Sequence, residues 1–386
     1  MHLGIICEEY PPAPHGGTGS SYRDLAEGLV AAGHQATVVG VQPVEPVPRV
    51  IESQQNGVRV VRLPRAPALL RTRLGAWRER QNILTHLKRI HAIQPFDAIE
   101  ASDYNGWLSH GGIAGVPAIV RIRGSNLFFD AELNRPPQHF EHGHERAALA
   151  RATHLASVSR YAAKRTLALA GLSSRHCEIL PNGVDAGVFS PSPGITPDPG
   201  LIVFVNSLNP KKGIEQLLDA ANSVFPAFPH ARLAVIGEDT QWRVSGGYVA
   251  QLKERIHPAL RDRVEFTGRL PREQIVGWLR RAAICCYPSH METFGIAALE
   301  AMSVGRPTIF TRLGPGPEIV DDEKNGLLCD PRDPADIARC LTRLLSDPAA
   351  AERLGAAARE RVLAHFDKRD WVQRNLDFYR RCGTPA

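Results

Sequence analysis

Short apolar, β-branched runs alternate along the chain with longer stretches whose apolar residues recur at helical spacing. This is the pattern of βαβ units wound about a parallel sheet. Leu3–Cys7 reads as the first strand, Ser20–Ala32 as a helix closed by Gly33, and Ala36–Val41 as the second strand. Ala98–Glu100, Ala118–Ile122 and His154–Val158 continue the series. At Ser190–Gly200 the chain turns Pro-rich, unable to join a helix or a central strand, and reads as a connector. The alternation then restarts with strands Leu201–Val205, Leu233–Ile236, Val264–Phe266, Ile284–Tyr287 and Thr308–Phe310, separated by helical segments such as Gly213–Val224 and Arg272–Arg281. Beyond Phe366, the helical spacing of Trp371, Leu376 and Tyr379 predicts a last helix packed on something already folded.

The predicted organisation is an α/β chain of two doubly wound parallel-sheet domains: 1–189, a linker at 190–200, 201–366, and a closing helix at 367–386 that packs back toward the first domain. Sheets of this kind bind ligands at their carboxyl ends, so the active site is expected in a cleft between the domains.

A length of 386 residues suits two domains of ordinary size, and 43% hydrophobic with 22% charged residues is a globular composition. A net charge of +6 permits an anionic partner without demanding one. No apolar stretch approaches the roughly 18 residues of a membrane span, and the start, MHLGIICEEYPP, reads as a strand rather than a leader, so a cytoplasmic location is expected. Seven cysteines, an odd number without a Cys-x-x-Cys pair, read as reduced core residues.

Candidate chemistry concentrates in a few places. Gly16-Gly17-Thr18-Gly19 opens the first helix and offers backbone N–H groups to an anion, although a sharp strand-to-helix turn explains it equally. It lacks the full G-x-G-x-x-G spacing, which disfavours a dinucleotide site. Glu292 and Glu300 follow a strand with seven residues between them: the first falls on a loop and the second along a helix, suited to accept paired hydrogen bonds from vicinal hydroxyls. Gly295 lets a polar ligand approach the helix end. The run His139–Glu145 lacks His-Glu-x-x-His spacing and reads as a solvated helix start rather than a metal site. Arg65, Arg71, Arg73, Arg78, Arg80, Lys88 and Arg89, interleaved with Leu69, Leu70, Leu74, Trp77, Ile83, Leu84 and Leu87, read either as a surface helix with its apolar stripe in the core or as a peripheral contact to anionic lipid headgroups or an anionic acceptor.

The Glu292–Glu300 element in its setting Pro288–Ile309 resembles the signature of the retaining glycosyltransferases of family 4, the group 1 transferases of the GT-B fold. Pro181–Asp185, Ala234–Asp239, Phe266–Gly268, Gly314–Glu318 and Asn325-Gly326 fall in that family's order, so the resemblance extends over nearly the whole chain. It implies two doubly wound domains facing across a cleft and transfer of a sugar from a nucleotide-sugar donor, with no metal and no cofactor. By this likeness Glu300 binds the ribose hydroxyls and Glu292 the hydroxyls of the transferred sugar. Phe294, Gly295 and Ile296 present backbone N–H groups to sugar and diphosphate, and the loop Gly268-Arg269-Leu270 meets the base. Lys212, in Asn209–Gly213, resembles the family's Lys-Gly pair and is the cation expected near the leaving diphosphate.

Two positions depart from the family. Ser207 stands where an arginine is usual, leaving a phosphate contact to other groups such as Lys211, and Arg123 stands where a histidine often contacts the sugar. A guanidinium stays protonated and cannot act as a base. Arg123 is therefore expected to hold a donor or acceptor oxygen, while the donor's own phosphate oxygen takes the acceptor proton, as proposed for the family. The reading is a retaining transferase acting on a UDP- or GDP-type sugar, with Lys212, Glu292 and Arg123 catalytic and Gly17 and Ser207 among the donor contacts. Its acceptor is a glycan, a lipid-linked or a small molecule, not a nucleic acid. The alternatives are a non-catalytic GT-B-like protein that binds a nucleotide sugar or glycan, and an oxidoreductase, which the glycine spacing disfavours.

Overall fold

The computed structural model describes residues 1–13, 16–41, 49–65, 73–137, 139–239 and 247–383. The chain divides into two compact units, Met1–Gly183 with Arg369–Ala386, and Val184–Lys368.

In the first unit eight strands form one sheet: β1 His2–Ile6, β2 Gln35–Val41, β3 Ile51–Gln55, β4 Val58–Leu63, β5 Ala98–Ser102, β6 Ala118–Ile122, β7 His154–Ser157 and β8 Glu178–Ile179. Their order is β3-β4-β2-β1-β5-β6-β7-β8. All pairings are parallel except the β3–β4 hairpin, which closes on Asn56-Gly57. β1, β5 and β6 are buried along their whole length, as central strands covered on both faces must be. Neighbouring residues accordingly serve opposite cores. Ile5 packs with Tyr22, Leu25 and Trp371, whereas Ile6 packs with Val39, Leu87 and Leu149.

The final helix, Lys368–Gly383, brings Trp371, Leu376 and Tyr379 into the first of these cores. It also completes a buried polar cluster. Arg121 Nε and Nη2 donate to the two carboxylate oxygens of Glu100 at 2.6 and 2.8 Å, and both side chains are wholly buried. The same Nη2 donates to Asn375 Oδ1 at 2.7 Å, and the Tyr379 hydroxyl donates to Glu100 at 2.7 Å. Burial alone would push the Glu100 carboxyl up, but the adjacent guanidinium outweighs it and holds the group below its ordinary value.

The second unit has six parallel strands: β9 Leu201–Val205, β10 Arg232–Ile236, β11 Val264–Gly268, β12 Ile284–Tyr287, β13 Thr308–Thr311 and β14 Leu327–Cys329, in the order β11-β10-β9-β12-β13-β14. The Pro-rich segment read as a connector packs on this unit: Asp198 N donates to Arg281 O at 2.8 Å, and its carboxylate accepts from Arg232 and Arg281. The chain runs outward from β9 to β11 and returns on the other side of β9 to make β12. The strand order therefore reverses between β9 and β12, the place where open sheets of this kind take their ligands, at the carboxyl ends of the strands. In the first unit the same reversal falls between β1 and β5.

Candidate active site

The loops leaving β9 and β12 meet at the switch point of the second unit, and their contact depends on one residue. Gly213 has φ 70°, and a Cβ there would lie 1.8 Å from Pro288 O. Only glycine allows both the backbone conformation and the approach. His290 N donates to Lys211 O at 2.9 Å, tying the loops a second time. Locked in this way, Lys212 Nζ donates to Glu292 Oε1 at 2.6 Å, and the wholly buried Ser289 donates its hydroxyl to the same oxygen at 2.9 Å. The Lys212 and Glu292 side chains are only 13% and 11% exposed. A charge-assisted bond so shielded from water is stronger than a surface pair.

Beyond Glu292 the chain enters the helix Ile296–Ser303 through Gly295 at φ 117°, where a Cβ would meet Phe310 at 2.5 Å. Among the described residues no side chain caps this helix, which leaves its first-turn N–H groups without a side-chain acceptor. The Phe294 ring is buried against Phe366, at 6.1 Å between centroids, which leaves Phe294 only its backbone to offer. Half-buried Glu300 lies further along the helix, and its charge adds to the burial that pushes the Tyr287 hydroxyl up.

Around this centre, Ser207 Oγ accepts from Asn209 Nδ2 at 3.0 Å. Asn209 Oδ1 is buried without a partner. Gly268 O accepts from Gly237 N at 3.0 Å, joining the ends of β10 and β11. Exposed Arg269 pairs loosely with Glu238 at 3.3 Å, beside half-buried Leu270.

Gly17 and Arg123 belong to the first unit. Gly17 starts the helix Gly17–Ala31, whose N-cap, Gly16, donates its N–H to Glu9 at 3.3 Å. Arg123, 7% exposed, donates from Nη1 to Ser21 of that helix and to Asn182, both at 2.9 Å, and lies 4.4 Å from the centre of the Tyr22 ring. Its Nε and Nη2 are buried without hydrogen-bond partners among the described residues. Its backbone N–H donates to Asp103 Oδ1 at 2.8 Å. Burial drives the Asp103 carboxyl from 3.8 up to about 7.

One expectation needs correction. The histidine run is not solvated: His142, 3% exposed, bonds Asp130 at 2.9 Å, and His144 bonds Ser109 at 2.9 Å. Fully buried Glu145 accepts the N–H groups of Asn105, Asn126 and Leu127. A polar helix face is buried there because a carboxylate and two imidazoles find fixed partners on other segments. The described part of the basic run follows the surface-helix reading, with Ile83 and Leu87 in the core, although Arg80 turns inward as well. Arg80 is 4% exposed, donates to Ala76 O at 2.8 Å and to Asn105 O, and lies 5.2 Å from the centre of the Trp107 ring. Leu74 and Trp77 are exposed, at 56% and 46%, while Leu69, Leu70 and Arg71 lie outside the described residues.

Sequence reasoning passed over Ser289, Asn209, Asp103 and Glu145. Ser289, inside the signature segment, and Asn209, at the head of the Lys212 segment, carried a signal that could have found them. Among the described residues no group of three or more metal-ligating side chains comes together, and no helix is long and apolar enough to cross a membrane.

Two doubly wound parallel-sheet units are the architecture of the GT-B glycosyltransferases, and solved structures of that class match the whole chain. Sucrose-phosphate synthase from Thermosynechococcus elongatus aligns with a TM-score of 0.82 at 24% identity, covering 98% of both chains. Anabaena HepE in complex with UDP-glucose aligns at 0.72 and 19% identity, over 98% of this chain and 100% of that one. Residues 15–188 match Glycosyltransferase Family 4 and residues 188–361 match Glycosyl transferases group 1. The chain belongs to this family of glycosyltransferases. Glycogen synthase of Mycobacterium tuberculosis (strain ATCC 25618 / H37Rv) is 28% identical across 95% of this chain and 91% of its own length. D-inositol 3-phosphate glycosyltransferase of Segniliparus rotundus is 33% identical across 50% of this chain and 44% of its own length.

Proposed function

We propose that this glycosyltransferase moves a sugar, with retention of anomeric configuration, from a nucleotide diphosphate sugar to a hydroxyl of a glycan, a lipid-linked or a small-molecule acceptor, without a metal ion. The observation that carries the reading is the 2.6 Å Lys212–Glu292 pair at the β9–β12 switch point. A pair so close and so dry can exchange partners: the ammonium turns to the donor diphosphate and Glu292 to the hydroxyls of its sugar. The N–H groups at Gly295 and Ile296 add positive partial charge for the same anion. Glu300 takes the ribose hydroxyls, and Gly268, Arg269 and Leu270 the base.

In the reaction the bond from the anomeric carbon to the diphosphate oxygen breaks and the acceptor oxygen bonds to that carbon on the same face. The acceptor proton passes to a phosphate oxygen of the leaving diphosphate. Lys212 stabilises the negative charge that grows there, which is where fixed cations lower a barrier most. Ser207 has no charge to give, so this task falls more heavily on Lys212. Arg123, protonated and with two N–H groups to spare, holds an oxygen rather than a proton. The UDP-glucose in complex with HepE and the likeness to a glycogen synthase support a UDP- or similarly activated hexose as donor.

The test is a donor screen that follows nucleoside diphosphate release across UDP, GDP and ADP sugars with a broad acceptor panel. NMR of the product's anomeric proton reads the stereochemistry, with and without a chelator. Chelator-insensitive release and a retained anomer are expected; silence with every donor, or an inverted product, sinks the reading. The location proposed is the cytosol, with a peripheral membrane contact through exposed Leu74 and Trp77. Flotation with anionic liposomes, compared with a Leu74→Ser/Trp77→Ser variant, tests it, and equal partitioning counts against it.

A further inference from the structure

The second unit carries a cavity at the end of its sheet opposite Lys212 and Glu292. About 820 Å³ in volume, it opens where β9, β10, β12 and β13 begin. That size falls within the roughly 300–1,000 Å³ of pockets that bind small molecules. Its floor is buried and apolar, built from Ala231, Ile284, Pro307 and Leu344, and its outer wall is the Pro-rich segment through Pro197 and Pro199.

One wall residue does not fit an apolar cavity. Arg306 is half-buried, and its Nε–H is fully buried without a hydrogen-bond partner among the described residues. Burial draws the guanidinium below its ordinary value, yet an arginine does not shed its proton, so the unmet donor remains a cost to the fold. Glu352 is the one carboxylate among the lining residues. It is exposed at the rim, close enough for its charge to act on Arg306, although among the described residues no contact ion pair joins the two. A roomy apolar cavity with a single unmet, permanently cationic donor is shaped for a ligand of two parts.

We propose that this cavity is a binding site for a small amphipathic anion, an apolar body ending in one carboxylate, sulfonate or phosphate group that seats on Arg306. The guanidinium pairs such a group through charge-assisted hydrogen bonds, while the body covers Ile284, Leu344 and Pro307. Because the cavity lies at the far end of the strands from the Lys212 loop, its ligand does not compete with a nucleotide sugar. Its occupancy would brace the 194–200 segment against the sheet.

Titration calorimetry of the full chain with decanoate, decanol and decyltrimethylammonium tests the assignment. Decanoate is expected to bind at one site per chain, at least about tenfold more tightly than decanol, with the cationic analogue weakest. Arg306→Gln is expected to bring decanoate down to the decanol level while leaving decanol unchanged. Thr196→Trp, at an exposed rim position, is expected to weaken both. Circular dichroism of each variant checks that the fold is kept. Decanoate binding no tighter than decanol, binding indifferent to Arg306→Gln, or no saturable binding overturns the proposal.

Discussion

Asp103 shows what burial does to a single group. Its carboxyl is fully enclosed and raised to about 7, because the charged form loses hydration that its backbone N–H donors, Arg123 first among them, do not replace. The folded chain therefore holds a proton that the unfolded chain has already released above its ordinary 3.8. The stabilisation is full below that ordinary value and disappears as pH rises through about 7. Denaturant titrations from acid to neutral pH are expected to show this decline, and Asp103→Asn, which keeps an acceptor for Arg123 N, should flatten it. An unchanged slope would mean that the carboxyl titrates normally. Residues of this kind were hidden in the sequence. Nothing local marks Asp103 or Glu145 as buried, since their partners come from other segments, Glu145 from Asn105 and Asn126 across 40 and 19 positions. Glu292 and Glu300 stood out in the sequence because their spacing matches the family signature, with the first on a loop and the second along a helix.

At the scale of elements, the switch-point loops depend on Gly213. An alanine there must leave φ 70° and push its Cβ away from Pro288 O, which parts the two loops. Gly213→Ala is expected to cost about 1–3 kcal/mol of stability and to lower turnover far more than a surface substitution, because Lys212 loses its register with Glu292. Thermal melts and steady-state rates on the same preparation check both effects, and a variant with normal turnover would show that the loops need no such lock. Most strands were readable from buried β-branched runs, and β6, β9 and β12 span the expected residues. The β3–β4 hairpin was not, although Asn56-Gly57 is a hairpin signal. β3 is an exposed edge strand without an apolar run to betray it. The histidine run misled for the opposite reason, as polar residues on a helix suggest solvent until their partners are known.

Over the whole molecule, the first unit is closed by a helix from the far end of the chain. Asn375 stands 254 positions from the Arg121 it bonds, and Tyr379 stands 279 from Glu100. Arg121→Met would strand a buried carboxylate and is expected to destabilise the first unit by about 3–5 kcal/mol, with Glu100→Gln added to the same chain recovering part of it. Calorimetry should show this in the transition of the first unit, and a double variant no more stable than Arg121→Met would contradict the pairing. Nothing in the sequence announced this pair; only the helical spacing of Trp371, Leu376 and Tyr379 hinted that the tail docks.

In the proposed mechanism Lys212, held by Glu292, carries the charge of the leaving diphosphate. Steady-state kinetics of Lys212→Met with the best nucleotide-sugar donor, beside donor binding by calorimetry, tests it most directly. A fall in kcat of about 10²-fold or more, with donor affinity reduced much less, is the expected result. A Lys212→Met enzyme that turns over at the wild-type rate would contradict it.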